Sequence, residues 1–274
     1  MSGEEAIRLS GSPDLKGSVM IVAWAEDASN LGVRAADYLL QSLGCREFGE
    51  VLPEGFFPMS GVNVVDDVAR FPECKFYVCD RNNLVIFKSS IPRMGWHRFL
   101  TSVLDVAHRD CAVKEIYTMG AMISPAAHTV PRLLISIVNN KEIKPTLEPY
   151  NVVSDNNYET PAGQKPTLSS YLAWLAGQRN IPAVNFWVPV PYYLVSTDDP
   201  RAVKRLVYFF NSKFDLGVDF TTLDSVIALQ NNKIARLFDK SPEIKNMVRK
   251  LEVGDGLDGE ESEKLAREMA EALK

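Results

Sequence analysis

The hydrophobic period of this chain changes repeatedly, and that change restricts the folds open to it. Residues 17–25 (GSVMIVAWA) are a short, apolar, partly β-branched run of the kind that forms a buried strand. The next stretch, ASNLGVRAADYLLQSLG, changes period: Leu31, Ala35, Leu39 and Leu43 recur every four residues and make one helical stripe. Asp27 stands where the helix N-cap belongs, and Gly44 fits the stop. Residues 46–52 read as a strand, and 76–87 (FYVCDRNNLVIF) as a hairpin turning at DRNN. A helix follows over 94–110, with Phe99, Val103 and Ala107 on one side. Strands are expected at 113–120, ending in Gly120, and at 133–138, then a helix at 168–179 and a strand over 182–193 that stops at Pro189 and Pro191. Strands alternating with helices bury both faces only as a three-layer α/β/α sandwich.

The last third changes character. Helical patterns cover 198–214, with Asp198 or Asp199 as cap and Pro200 in the first turn, then 220–238 and 241–252, the last opened by Ser241 and Pro242. GDGLDGEESE (254–263) is an acidic, glycine-rich break that reads as a flexible linker. Behind it Leu265, Met269 and Leu273 form an amphipathic tail helix. Such a helix is marginal alone; it folds back, packs on a neighbour, docks a partner or frays. The expected organisation is one α/β domain with appended helices over 1–252 and a linker plus tail helix over 253–274. The connection 139–166 is long for a structureless loop and is expected to be functional or partly helical.

Composition removes several functional classes. A formal net charge of -5 argues against a nucleic-acid binder, which needs a concentrated basic face. Residues 1–16 lack a signal-peptide pattern, and no apolar run reaches the roughly 20 residues that span a bilayer, so a cytoplasmic protein without membrane attachment is expected. The cysteines at 45, 74, 79 and 111 include no Cys-x-x-Cys, and the three histidines are not spaced as metal pairs, so no metal site is expected. Reduced, mostly buried thiols fit that setting. Gly32, Gly120 and Gly163 are isolated rather than parts of a phosphate-cradling loop, which argues against ATP hydrolysis; no cofactor is expected.

Two chemical readings stay open for AAHTVPR (126–132). His128 can be a general acid/base, which needs an orienting carboxylate, with Arg132 binding an oxyanion. Alternatively it hydrogen-bonds loop backbone and fixes a turn, Asp27 is a helix cap and Arg132 makes a surface or interface salt bridge. No nucleophile motif accompanies the histidine, and Ser124 is not in a G-x-S-x-G elbow. In NFWVPVPYY (185–193), Phe186 and Trp187 point to opposite faces of a strand. Tyr192 and Tyr193 follow a proline, where core and interface roles are both open.

Taken in order, AWAEDASNLGVRAADYLL (23–40), the Trp96–Phe99 helix, the strand reaching Gly120 with its AAHTVPR loop, YETPAG (158–163), NFWVPVPYY and the helices running to KLE resemble the proteasome assembly chaperone family, in its second-chaperone branch with archaeal and bacterial relatives. The resemblance covers roughly residues 18–252. It implies an α/β sandwich similar to the nucleoside phosphorylase fold, a homo-oligomer, and binding of proteasome-like or other protein subunits without catalysis. Three departures stand out. The family's loop arginine precedes the proline, whereas Arg132 follows Pro131; the histidine of the family's Val-Pro-His-Tyr is Tyr192 here; and the chain ends Glu-Ala-Leu-Lys, without the tyrosine before the terminus that docks such chaperones onto the ring. The expected interface residues are Tyr192, Tyr193, Leu265, Met269 and Leu273. The alternative is a small-molecule hydrolase or transferase whose phosphorylase-like cleft uses His128, Asp27 and Arg132; the family's topology makes Asp27 or Glu159 the candidate carboxylate that orients His128.

Overall fold

The computed structural model describes residues 6–25, 27–58 and 63–274. Of the leader expectation for residues 1–16, the first five lie outside the described residues. At the centre of the sheet is β2 (Ser18–Trp24), buried at every position. Its side chains alternate between two cores: Val19, Ile21 and Ala23 enter one, Met20, Val22 and Trp24 the other. A strand covered on both faces reads as a continuous apolar run, which is why its sequence lacks polar alternation.

The nine-stranded mixed sheet takes the remaining strands in the order β1 (Ile7–Leu9), β3 (Arg46–Val51), β6 (Cys74–Cys79), β7 (Leu84–Ser89), β2, β8 (Val113–Ser124), β11 (Ala183–Pro191), β9 (Leu134–Val138) and β10 (Val152–Val153). A separate ribbon pairs β4 (Asn63–Val65) with β5 (Val68–Arg70). Strands β7, β2, β8 and β11 run parallel, so their C-terminal ends share one edge. Helices α1 (Leu31–Leu43) and α4 (Pro200–Phe214) cover one face, and α2 (Trp96–Arg109) and α3 (Leu168–Gln178) the other. Helices α5 (Thr221–Lys240), α6 (Pro242–Glu252) and α7 (Gly259–Leu273) add a further layer outside α4 and over the end of β11. The α/β class and its helical C-terminal extension are as the sequence implies.

Several expectations change. β8 does not stop at Gly120; it continues to Ser124 because β11 pairs with it as far as Pro191. For the same reason β11 does not end at its prolines. The Ala183 carbonyl accepts from Asn139 N–H, so odd-numbered β11 residues turn their backbone away from β8. β9 pairs only as far as Trp187, so Pro189 and Pro191 present their missing N–H groups to an open edge, where a proline is tolerated. The long connection after β9 is partly helical, with 3₁₀ turns at Lys141–Thr146 and Glu148–Tyr150.

The expectation of four reduced thiols fails for one pair. Cys45 and Cys79 form a disulfide, Cα atoms 4.3 Å apart. The antiparallel pairing of β3 and β6 sets Arg46 against Val78 and so brings the two cysteines together; no spacing rule shows this across 34 residues. Cys74 and Cys111 are free and buried. The linker expected over 254–263 is also shorter, because α7 starts at Gly259. Asp258 Oδ1 accepts from Glu261 N–H, and Glu261 Oε2 accepts from Asp258 N–H, a capping box that nucleates the helix five residues early.

Candidate functional site

The parallel strands deliver three segments to their common C-terminal edge: Asp27 after β2, the loop 125–133 after β8, and 192–199 after β11. In α/β sheets this edge is where ligands are usually held.

The 125–133 loop is tied down along most of its length. Ala126 N–H donates to Ser124 Oγ at 3.1 Å, and Ala127 is buried in the core. The His128 backbone N–H donates to the Tyr193 hydroxyl at 2.6 Å, and that oxygen also lies 2.9 Å from His128 Nδ1. The hydroxyl oxygen accepts from the backbone amide; whether it donates to Nδ1 or accepts from it follows the ring's tautomer. Burial, helped by the Arg201 and Arg132 guanidiniums, lowers the His128 pKa from 6.5 to about 4, with Glu252 and Asp199 pulling the other way. The ring is 6 % exposed and lies beside Phe238. Thr129 Oγ1 donates to Glu252 Oε1 at the end of α6, 2.7 Å away.

Arg132 does not make the surface or interface salt bridge expected of it. Its Nε donates to Asp199 Oδ2 at 2.8 Å, with the two side chains 4 % and 0 % exposed. Nη1 donates to Val130 O, and Nη2 has no partner among the described residues. The other Asp199 oxygen accepts from Ala202 N–H and caps α4. The sequence offered Asp198 or Asp199 as the cap, and the structure uses Asp199; its second role, holding Arg132 across 67 residues, left no local signal.

Asp27 lies on the neighbouring segment, after β2. Residues 28–30 form a 3₁₀ turn in which Ser29 and Asn30 have positive φ, so Asp27 is not adjacent to α1. It still reaches the helix: Gly32 N–H donates to Asp27 Oδ2 at 3.1 Å. Gly32 suits the place, since a Cβ there would come within 3.1 Å of the Met119 carbonyl oxygen. Burial raises the Asp27 pKa from 3.8 to about 6, against the lowering pull of the Gly32, Ala121 and Leu31 amides. Two residues on, Ser29 Oγ donates to the Leu194 carbonyl at 3.0 Å, so the Asp27 segment and the His128 loop both meet the Tyr192–Leu194 turn. Glu159 is exposed on the irregular segment before α3.

A cleft of about 510 Å³ opens nearby, lined by Ser124, Pro125, Ala126 and Tyr192 on one side and by the α6–α7 turn from Leu251 to Ser262 on the other. His128, Asp27 and Arg132 do not line it. Of the expected interface residues, Tyr193, Leu265 and Met269 are buried within this chain, and Tyr192 and Leu273 are half-buried. α7 packs on the Tyr192–Leu194 turn and on α5, so its apolar stripe meets the chain's own surface. Among the described residues no cluster of His, Cys, Asp or Glu could hold a metal ion, and no helix is long and apolar enough to cross a membrane.

Residues 21–237 match the model of the PAC2 family. The chain belongs to that family. The PAC2 match takes in the whole sheet except β1 and the start of β2, and stops short of α6 and α7. PAC2 architecture recurs in solved structures. A Corynebacterium glutamicum protein of unknown function superimposes with a TM-score of 0.78 at 18% identity, over 91% of this chain and 96% of that one. Pyrococcus furiosus PbaB, an archaeal proteasome activator, gives 0.68 at 21% identity, over 85% and 98%. A proteasome-assembly chaperone homologue from Mycobacterium tuberculosis gives 0.66 at 20% identity, over 80% and 94%. At these identities the likeness establishes the fold. No curated protein matches the chain.

Proposed function

We propose that this PAC2 protein is a chaperone-like, homo-oligomeric binder of protein subunits, with proteasome-like subunits foremost, and that it catalyses no reaction. One observation carries the reading. At the sheet edge where an α/β enzyme holds its substrate, His128 and Arg132 are buried against partners from their own chain. His128 is neutral and engaged by Tyr193, Arg132 is neutralised by Asp199, and α6 and α7 close over the loop. A general base must reach the proton it removes; here Nδ1 lies against the Tyr193 hydroxyl, and the nearby cleft is lined without the histidine. PbaB and the mycobacterial chaperone homologue share the fold and carry names that point to proteasomes. A cytoplasmic setting belongs to the same proposal, with the Cys45–Cys79 bond tested there by counting free thiols after an acid quench.

The hydrolase or transferase reading would use His128 with Asp27 and Arg132. The deciding experiment is native mass spectrometry of the protein captured gently from its own host. Stoichiometric protein subunits on an oligomer are expected. A bare oligomer carrying a small molecule of defined mass overturns the proposal, and loss of turnover in a folded His128→Ala variant would then establish the enzyme.

A further inference from the structure

The sheet face beneath α2 and α3 is covered only part of the way across. Phe186, Val188 and Val190 point into the core under α1 and α4, so Asn185 and Trp187 take the opposite face. The register then sets Trp187 against Gly120 on β8 and Ile135 on β9, Ile135 against Val153 on β10, and Asn185 against Ile137. Ile137 is 43 % exposed, and Trp187 and Ile135 are half-buried. At the margin of this face a groove of about 410 Å³ runs between β9 and α3, with Ile137, Asn139, Ala173, Trp174, Gly177 and Asn185 among its lining residues. Among the described residues, no ionisable side chain lines it.

Its polar groups are unequal. Asn139 is fully used: Nδ2 donates to the Ala173 and Ile181 carbonyls, and Oδ1 accepts from Ala183 N–H. Asn185 is only 1 % exposed. Its Oδ1 accepts from the Thr118 hydroxyl at 2.7 Å, but Nδ2 has no partner among the described residues. A buried amide donor left unpaired is unfavourable, and this one lies in the groove wall. At the rim Trp174 is 55 % exposed, its ring stacked on Tyr171 at 5.7 Å. A large aromatic held in place at the edge of an apolar depression is the usual anchor of a protein contact.

Resting on the protein-binding reading above, we propose that this groove docks an uncharged, apolar segment of a partner protein, which presents a backbone carbonyl to Asn185 Nδ2 and apolar side chains to Trp174 and Ile137. The neutral lining selects a neutral segment, since a charge placed there would lose its hydration without a counter-ion. Strand addition at the neighbouring open edge of β11 is barred by Pro189 and Pro191, which offer no N–H, so the partner lies against the face.

A random dodecapeptide phage library is panned on the full-length protein, and selected sequences are remade as capped synthetic peptides. The expected peptides have uncharged apolar cores, shift the Asn185 side-chain amide resonance, and bind Trp174→Ala at least tenfold more weakly. They also bind Gln178→Glu more weakly, at the exposed rim. Asn185→Asp keeps the acceptor for Thr118 while removing the donor; the two surface variants decide the matter if it does not fold. Selection of no peptide, charged cores, or equal affinity for Trp174→Ala each overturns the inference. So does a fall in oligomer mass in Trp174→Ala, which would make the face a contact between copies. If wild type captures stoichiometric subunits and Trp174→Ala captures them equally, the groove fails while the chaperone reading stands; absence of subunits on wild type fails that reading instead.

Discussion

Arg132→Met is the perturbation that most directly tests the closed loop. The methionine keeps the apolar stem and removes the guanidinium, leaving the Asp199 carboxylate fully buried with only Ala202 N–H to satisfy it. Removing one member of a buried ion pair costs about 3–5 kcal/mol, because the charge left behind has neither water nor a partner. In a chain of this size that is about 6–20 °C in Tm, at roughly 2–4 °C per kcal/mol. Adding Asp199→Asn removes the orphaned charge and keeps the cap, since Asn caps a helix about as well as Asp. The double variant is therefore expected within about 1 kcal/mol of wild type, well below the sum of the two single costs. Urea unfolding of the four proteins, with equal m-values as the check on two-state behaviour, measures this cycle. A cost below about 1 kcal/mol for Arg132→Met, or single costs that add in the double variant, refutes the reasoning that the pair is buried and mutually required.

The pH dependence of stability divides between two groups of opposite sign. His128 falls from 6.5 in the unfolded chain to about 4, so the unfolded state binds more protons in that window; its contribution, about 3 kcal/mol, is complete above pH 6.5 and lost as pH falls towards 4. Asp27 rises from 3.8 to about 6, so its contribution, also about 3 kcal/mol, is present below 3.8 and lost as pH rises through 6. Urea midpoints between pH 4 and 6.5 should rise more steeply with pH in Asp27→Asn than in wild type, and fall with pH in His128→Asn; parallel curves for all three would contradict both assignments. Tyr193→Phe strands the buried His128 N–H and is expected to cost about 1–3 kcal/mol by the same assay, with no more than a few tenths if water replaces the hydroxyl. Cys79→Ser opens a loop of 34 residues and is expected to lose about 3–4 kcal/mol of chain-entropy stabilisation, which calorimetry with and without reductant on wild type should reproduce; equal Tm values in the two conditions would refute it.

The sequence by itself determined the parts that depend on neighbours within a few residues. The strand-to-helix change at 17–43, the hairpin at DRNN, a cap at Asp198 or Asp199, the cap at Ser241 and the stop at Gly44 are all read from local period and local hydrogen-bonding chemistry, and all are found, the first of the two caps at Asp199. The loop residues His128 and Arg132 were also visible as a polar group between two strands. What they do was not, because their partners Tyr193 and Asp199 lie 65 and 67 residues away and are brought near only when β11 pairs with β8. The same pairing carries β8 past Gly120 and keeps two prolines inside a strand. The β3–β6 pairing joins Cys45 to Cys79, and the packing of α7 on the Tyr192–Leu194 turn and α5 makes an expected interface stripe part of the chain's own core. A hydrophobic stripe specifies that a face is to be covered; whether the cover comes from the same chain or another is decided by where the sheet places the two surfaces.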